Sequence, residues 1–258
     1  MIKAGSGDDT IVGAQNDTLL DGGIGAADVL QIGNSFNDLS NEQIDNIDTV
    51  ALTAASLTVI LNNQKEKMTI TGFATGASTI TGGENSDTIT GGTGNDILTG
   101  GGGDDSLTGG TGADVFVVAA TADLTAGEVV DGGANNGGVD TLRLDGAGIF
   151  GNTQLDGTLS GVEVVSLNND TSDWRLTFAD AAFTGADANG DGTADGTITV
   201  RAATALVKNV SVNASAASAT SELVVVGTNL GGNDTLTGSL GADTLNGGGG
   251  NDSITGGD

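Results

Sequence analysis

The 258-residue chain contains no histidine, cysteine, proline or tyrosine. Without cysteine no disulfide can form, and without cysteine and histidine the usual zinc sites are excluded. Catalytic sites of the Ser-His-Asp or Cys-His kind are excluded for the same reason. The composition therefore argues against an enzyme with one of these nucleophilic sites and against a transition-metal protein.

Positive charge is also scarce, with 7 Lys and Arg against 34 Asp and Glu and a net charge of −27. Such a chain repels phosphate backbones and anionic membrane surfaces, so we expect no nucleic-acid partner. No apolar run approaches the roughly 20 residues of a membrane span, so we expect no membrane insertion. High charge with few aromatic residues is close to the composition of disordered chains. Folding therefore requires something that neutralises the carboxylates.

Glycine is abundant, with 46 residues, and it marks a repeat. Four nonapeptides follow one another without a gap over residues 82–117: GGENSDTIT, GGTGNDILT, GGGGDDSLT and GGTGADVFV. Each unit has aspartate at position 6, namely Asp87, Asp96, Asp105 and Asp114. Each unit has a large apolar residue at position 8, namely Ile89, Leu98, Leu107 and Phe116.

Related blocks stand at both ends of the chain. Residues 229–255 form three units, with Asp234, Asp243 and Asp252 at position 6. The opening block is degenerate: Asp9 keeps the spacing, the unit of Asp17 is one residue short, and Asp28 follows one extra residue. The last residues, 256–258, begin another unit, so we expect this chain to be a fragment.

The repeat pattern predicts a stacked coil that needs a cation. Positions 7–9 form a short strand with position 8 pointing inward, and two nonapeptides per turn give two parallel sheets. Aspartates 18 residues apart then stack about 4.8 Å apart, where two charges repel by about 3 kcal/mol. Ca²⁺ accepts 6–8 oxygen ligands and reverses this repulsion. Glycine turns leave carbonyls free to join the aspartates, and we expect these from Gly92, Gly94, Gly101, Gly103, Gly110 and Gly112.

The nonapeptides resemble the repeats-in-toxin (RTX) family, also called haemolysin-type calcium-binding repeats. The resemblance implies an all-β fold, a parallel β-roll or β-solenoid of calcium-binding nonapeptide repeats with β-rich spacer segments, holding several Ca²⁺ ions. It also implies type I secretion and an extracellular or bacterial cell-surface location. The alternation of repeat blocks and spacers resembles surface-layer proteins and large adhesins, whose further partners would be a second copy or a cell-surface glycan. We therefore expect a non-enzymatic calcium-binding region.

Two other interpretations remain open from the sequence. The chain could be the C-terminal repeat region of a type I-secreted protease, lipase or toxin whose catalytic domain lies outside these residues. It could also be an ice-binding array, although only the segment around Thr93 and Asn95 offers the outward Thr/Asn row that this requires.

The blocks divide the chain into five segments: a degenerate repeat block (1–32), a β-rich spacer (33–81), a repeat block (82–118), a second spacer (119–228) and a closing block (229–258). The two spacers align with each other, and this alignment places Asp140 where Asp28 stands and Glu163 where Asp48 stands. Strands are expected over 49–53, 56–61, 161–167, 197–201, 206–212 and 222–227, which are rich in Val, Thr and Ile. A short helix is expected over 40–47, where Ser40 and Gln43 form a capping box. Whether spacers form further coils or separate modules stays open.

Residues 187–195 contain a second candidate calcium site. Oxygen side chains occupy positions 1, 3, 5 and 9 of an EF-hand-like loop: Asp187, Asn189, Asp191 and Asp195. The twelfth position is Ile198, so the bidentate glutamate is missing. We expect a calcium-stabilised β-connection, with a solvated acidic turn as the alternative. The single tryptophan, Trp174, is expected in the core.

Overall fold

The computed structural model describes residues 1–13, 15–38, 40, 43–120, 127–133, 138–146, 159–168, 173–183, 186, 196–203 and 205–257. These residues form an all-β structure in which the regular helical segments are two short 3₁₀ turns, Asp180–Phe183 and Gly227–Asn229. Every strand pairing among them is parallel. The all-β, parallel fold class predicted from the nonapeptides is confirmed.

Two large sheets face each other along most of the molecule. Sheet I has eight strands, β2 (Thr10–Gly13), β4 (Val29–Ile32), β7 (Thr49–Leu52), β9 (Thr69–Thr71), β11 (Thr88–Thr93), β13 (Ser106–Thr111), β15 (Val129–Gly133) and β17 (Leu159–Ser160). Sheet II has ten, β5 (Phe36–Asn37), β8 (Thr58–Ile60), β10 (Thr79–Thr81), β12 (Ile97–Thr99), β14 (Val115–Val118), β16 (Thr141–Leu144), β18 (Val164–Leu167), β20 (Thr197–Ala202), β22 (Glu222–Val226) and β24 (Thr244–Leu245).

Two smaller sheets complete the fold. Sheet III has four strands, β19 (Trp174–Ala179), β21 (Val210–Ala216), β23 (Thr235–Thr237) and β25 (Ser253–Thr255). Sheet IV has three strands near the N-terminus, β1 (Ile2–Lys3), β3 (Leu20–Asp21) and β6 (Ile44–Asp45). From β7 to β18 the strands alternate between sheets I and II, and from β18 to β25 they alternate between sheets II and III. The spacers are therefore further coils of one solenoid.

The register within the repeat block follows the nonapeptide period. Ile89 pairs with Leu107 and Leu98 pairs with Phe116, so one coil takes 18 residues and two nonapeptides. All four of these position-8 side chains are buried between the sheets. One apolar side chain per strand is thus enough to build a continuous core once the coils stack.

Equivalent residues of the two aligned segments are buried alike, although they lie in different sheets. Val50 lies in sheet I and its counterpart Val165 in sheet II, and both are fully buried. Strands occur in all six predicted spacer segments, as β7, β8, β18, β20, β21 and β22. Trp174 is 1% exposed, as expected of a core residue.

The helix predicted over residues 40–47 is wrong. Ser40 and Gln43 form a turn, in which the Gln43 amide donates to the Ser40 carbonyl at 3.0 Å. The next two residues form β6, and Asn46 then adopts a positive φ of 52° that bends the chain. This bend turns both Ile44 and Ile47 toward the core, which produces a three-residue apolar spacing without a helix.

Candidate metal centre

Acidic residues stand two positions before the inward apolar residue of most coils, and they stack in columns. The sheet I column contains Asp9, Asp28, Asp48, Met68, Asp87, Asp105 and Glu128 in consecutive coils. The sheet II column contains Ser78, Asp96, Asp114, Asp140, Glu163, Ile198, Leu223 and Asp243. The sheet III column contains Trp174, Val210, Asp234 and Asp252.

Each acidic side chain in a column, except that of Asp9 at the start of the sheet I column, bonds to the backbone of the coil before it. The Asp87 amide donates to Asp105 Oδ1 at 2.7 Å, and the Asp96 amide donates to Asp114 Oδ1 at the same distance. The Asp234 amide donates to Asp252 Oδ1 at 3.0 Å. The aspartates predicted to stack 18 residues apart are therefore neighbours, and each carboxylate joins two coils.

The second oxygen of several of these carboxylates is buried without a partner. Asp96 and Asp114 are 0% exposed and Asp234 is 1% exposed, and the Oδ2 atom of each accepts no hydrogen bond. Asp87 differs, because the Gly83 amide donates to its Oδ2 atom at 2.7 Å. An ionised carboxylate oxygen left unpaired in the interior is costly, so these three atoms require a proton or a cation.

The pKa values of several column aspartates also indicate that these carboxylates require a proton or a cation. Burial raises the pKa of Asp87, Asp114 and Asp234. Burial also raises the pKa of Asp96 to about 6 and that of Asp140 to about 8. Repulsion by the Asp114 carboxylate adds to the effect of burial at both of these residues. The fold therefore opposes ionisation of the column until a positive charge enters it.

The glycines of the repeat leave room for the carboxylates and for close stacking. A Cβ atom on Gly91, at position 1, would lie 2.6 Å from Asp96 Oδ2, so a side chain there would displace the carboxylate. The position-2 and position-4 glycines expected to offer carbonyls all have φ between 108° and 134°: Gly92, Gly94, Gly101, Gly103, Gly110 and Gly112. A Cβ on Gly110 would collide with the Gly92 carbonyl of the coil before it, so that oxygen faces the next turn. Coordination by these carbonyls stays a prediction.

Two of the opening aspartates lie in the sheet I column and one does not. Asp28 is buried and accepts the Asp9 amide at 2.7 Å, while Asp9 accepts the Gly5 amide at 3.1 Å. Asp17 lies 3.8 Å from the N-terminal ammonium group, outside all three columns. Its unit is one residue short. The inward residue, Leu20, therefore follows Asp17 by three positions, whereas in a regular unit it follows the aspartate by two.

The closing block also reaches the columns. Asp243 Oδ1 accepts the Leu223 amide at 2.9 Å and the Ser239 hydroxyl at 2.8 Å. Asp243 therefore bonds to the coil before it. The predicted EF-hand-like ligands Asp187, Asn189, Asp191 and Asp195 lie outside the described residues.

Three acids of the columns were not among the predicted ligands. Asp48 accepts the Asp28 amide at 2.8 Å, Glu128 the Asp105 amide at 3.0 Å and Glu163 the Asp140 amide at 2.6 Å. Each stands two residues before a buried valine, which is the signal that could have found them. The spacing hid this signal, because 23 residues separate Asp105 from Glu128 where the nonapeptides need 18.

The donor set fits a hard cation bound between turns. No group of three or more acidic side chains within the described residues comes together as a metal cluster. Where acids occupy the same column position in successive coils, they instead offer carboxylate oxygens beside the carbonyls of glycine turns. Oxygen ligands with flexible geometry suit Ca²⁺, whereas Mg²⁺ demands a stricter octahedron.

The fold and the columns define a class of protein, the parallel β-solenoid whose stacked glycine-aspartate turns form a cation site between coils. Residues 1–26, 76–116 and 229–258 match the RTX calcium-binding nonapeptide repeat, in four copies. These three segments are therefore RTX calcium-binding repeats, and they support a calcium-binding repeat region. No curated protein and no solved structure matches the chain. Among the described residues, no helix is long and apolar enough to cross a membrane.

Proposed function

We propose that this chain is a non-enzymatic part of a secreted bacterial surface-layer or adhesin-like protein, and that it folds outside the cell when Ca²⁺ binds. The observation that supports this most directly is the set of buried, unpartnered carboxylate oxygens of Asp96, Asp114 and Asp234. RTX repeats occur in secreted bacterial proteins, which supports the extracellular location.

Calcium acts as a folding ligand in this proposal. Without it, a chain of net charge −27 must bury stacked acids at the cost of protonating them or leaving their charges unpaired. With it, each ion neutralises carboxylates from two coils and links those coils. A ligand that binds only the folded state stabilises that state by about 2.7 kcal/mol at 100 times its Kd.

The proposed ligands are the column aspartates and the glycine carbonyls beside them. The strongest set is the pair Asp87 and Asp105 in sheet I and the pair Asp96 and Asp114 in sheet II, followed by Asp234 and Asp252. Extracellular calcium modules have Kd values of about 10⁻⁴–10⁻³ M. A site in this range stays empty in the cytosol and fills outside the cell, so the chain would remain unfolded until it is exported.

Far-UV circular dichroism during a calcium titration tests the proposal. In excess chelator we expect a largely disordered spectrum, and millimolar Ca²⁺ should produce the β-sheet spectrum. Magnesium at equal concentration is the control, because it screens charge equally but binds poorly to flexible oxygen sites. Identical spectra in chelator and in calcium would refute calcium-driven folding, and an equal response to magnesium would reduce it to charge screening.

A further inference from the structure

The outer face of sheet III presents two rows of polar side chains that run across its four strands. The strand register places in the first row Asp173, Asn209, Asn233 and Asn251. It places in the second row Arg175, Ser211, Thr235 and Ser253. Neighbouring members of a row are one strand apart, which is about 4.8 Å. Both rows therefore repeat a polar group at each coil along the solenoid axis.

A groove of about 310 Å³ lies between the two rows. It is lined by the first three members of each row and by Trp174 and Val210. These two residues are buried with their side chains in the core, so the groove meets their backbone and its walls are polar. Sites for small ligands begin at about this size, near 300 Å³.

Hydrogen bonds between coils fix the side chains of the first row. The Asn209 amide donates to Asp173 Oδ1 at 3.0 Å, the Asn233 amide to Asn209 Oδ1 at 2.8 Å and the Asn251 amide to Asn233 Oδ1 at 2.9 Å. Only the oxygen of an asparagine side chain can accept such a bond, so the NH₂ groups of Asn209 and Asn233 point away from it. Within the described part of the chain, neither NH₂ group donates a hydrogen bond.

The second row adds an arginine that has no acidic partner among the described residues. Arg175 is exposed and forms no ion pair or hydrogen bond there, whereas Lys3, Lys65 and Arg143 each pair with an acid. Across the groove, Asp173 keeps its Oδ2 atom as a free acceptor. The groove thus holds one positive and one negative charge, with fixed donors along its length.

From these rows we propose that the groove binds a linear neutral glycan lying along the solenoid axis. The NH₂ groups of Asn209 and Asn233 donate to sugar oxygens, Asp173 accepts from a hydroxyl, and Arg175 donates to two neighbouring hydroxyls. The charges of the groove cancel, while the net charge of −27 repels a polyanionic chain. Polar groups repeated at every coil match a polymer of repeating units. The inference rests on the proposed surface role and names a partner for it.

Native gel electrophoresis in calcium, with a polysaccharide dissolved in the gel, tests this groove. The neutral probes are galactomannan, arabinoxylan and dextran in separate gels, and alginate is the anionic comparison. We expect at least one neutral probe to slow the chain and alginate not to. Arg175→Ala and Asn233→Asp should each weaken the apparent affinity by about 2- to 10-fold, as expected for one lost hydrogen bond. Aspartate keeps the oxygen that accepts the Asn251 amide and removes only the NH₂ group.

Two matched variants serve as controls. Arg201→Ala removes an exposed arginine of sheet II that lies outside the groove. Asn95→Asp changes an exposed asparagine whose Oδ1 atom accepts the Ala113 amide at 2.9 Å and which precedes a column aspartate, as Asn233 does. We expect both controls to be slowed as much as the unmodified chain.

The outcomes separate this inference from the proposed function. Free migration in all three neutral probes, retardation by alginate alone, or equal retardation of the groove variants and the controls would overturn the glycan groove. A chain whose far-UV dichroism is identical in chelator and in calcium would overturn calcium-driven folding. That result would leave the groove test in force, because the groove requires only a folded sheet III.

Discussion

Truncation of Asp105 tests the register of the columns, because its neighbour Asp104 is an acid with a different environment. Asp105 is 1% exposed, and its Oδ1 atom accepts the Asp87 amide at 2.7 Å. Asp104 is exposed and lies outside the columns. We therefore expect Asp105→Ala to destabilise the calcium-loaded chain strongly and Asp104→Ala to change it little.

The size of the effect follows from two losses. The Asp87 amide would remain buried without its acceptor, which costs about 1–3 kcal/mol. A calcium site that loses one carboxylate and binds tenfold more weakly contributes about 1.4 kcal/mol less to stability at saturating ligand. Together these losses predict about 3 kcal/mol for Asp105→Ala. Substitutions of exposed residues usually change stability by no more than about 0.5 kcal/mol, which is the expectation for Asp104→Ala.

Urea unfolding at fixed millimolar Ca²⁺, followed by circular dichroism, measures this difference. Equal destabilisation by the two substitutions in calcium would show that the nine-residue register is wrong, and the paired-site interpretation would be lost with it.

Three further outcomes follow from the structure. Gly101→Ala should lower the free energy of unfolding by about 1–3 kcal/mol, because φ is 112° at this residue and a Cβ would strike a carbonyl of the preceding coil. Gly102→Ala should lower it less, because the atom nearest to a Cβ there lies 3.2 Å away, and urea unfolding in calcium compares the two variants. In chelator, the β-sheet dichroism signal should decrease as pH rises from about 4 to 8, since the raised pKa values of Asp96 (about 6) and Asp140 (about 8) favour the folded state only while these groups are protonated; a signal that does not change with pH would contradict this. Calcium should shift the Trp174 emission to shorter wavelength with the same midpoint as the dichroism signal, because this buried side chain lies in the same solenoid; separate midpoints would indicate blocks that fold independently.

The strands and the core of the repeat block follow from the sequence because their period is strict. One apolar residue every nine positions leaves a single register, and Ile89, Leu98, Leu107 and Phe116 all occupy it. Among the column acids of the spacers, Asp140 was predicted from the spacer alignment, whereas Asp48, Glu128 and Glu163 were missed because turn length varies. Between Asp114 and Asp140 the chain takes 26 residues to complete a coil, and between Asp140 and Glu163 it takes 23. Stacking preserves the position in space while the sequence period is lost.

The bonding of each carboxylate could not be predicted from spacing alone. Sequence spacing indicated that Asp87 and Asp105 stack and repel each other, with a cation as the only relief. The structure adds a second attraction, because the Asp105 carboxylate accepts the Asp87 amide. This bond depends on the direction of the amide at the end of each turn, which is set by the backbone path through the glycines. Repulsion between the coils is therefore partly offset before any cation binds.

Apolar residues in the columns determine which coils need calcium. Met68 interrupts the sheet I column between Asp48 and Asp87, and Ile198 and Leu223 interrupt the sheet II column after Glu163. These three residues are buried, so each contributes to the core at a position where a repeat would bury a charge. Coils that contain them gain stability from apolar burial alone, at about 25 cal/mol per Å². The acidic coils contain the same inward apolar residue but must also bury a carboxylate. If calcium binds the column acids as proposed, the charge at one position of each coil sets the dependence on calcium, and we expect the contact between the coils of β20 and β22 to depend on it least.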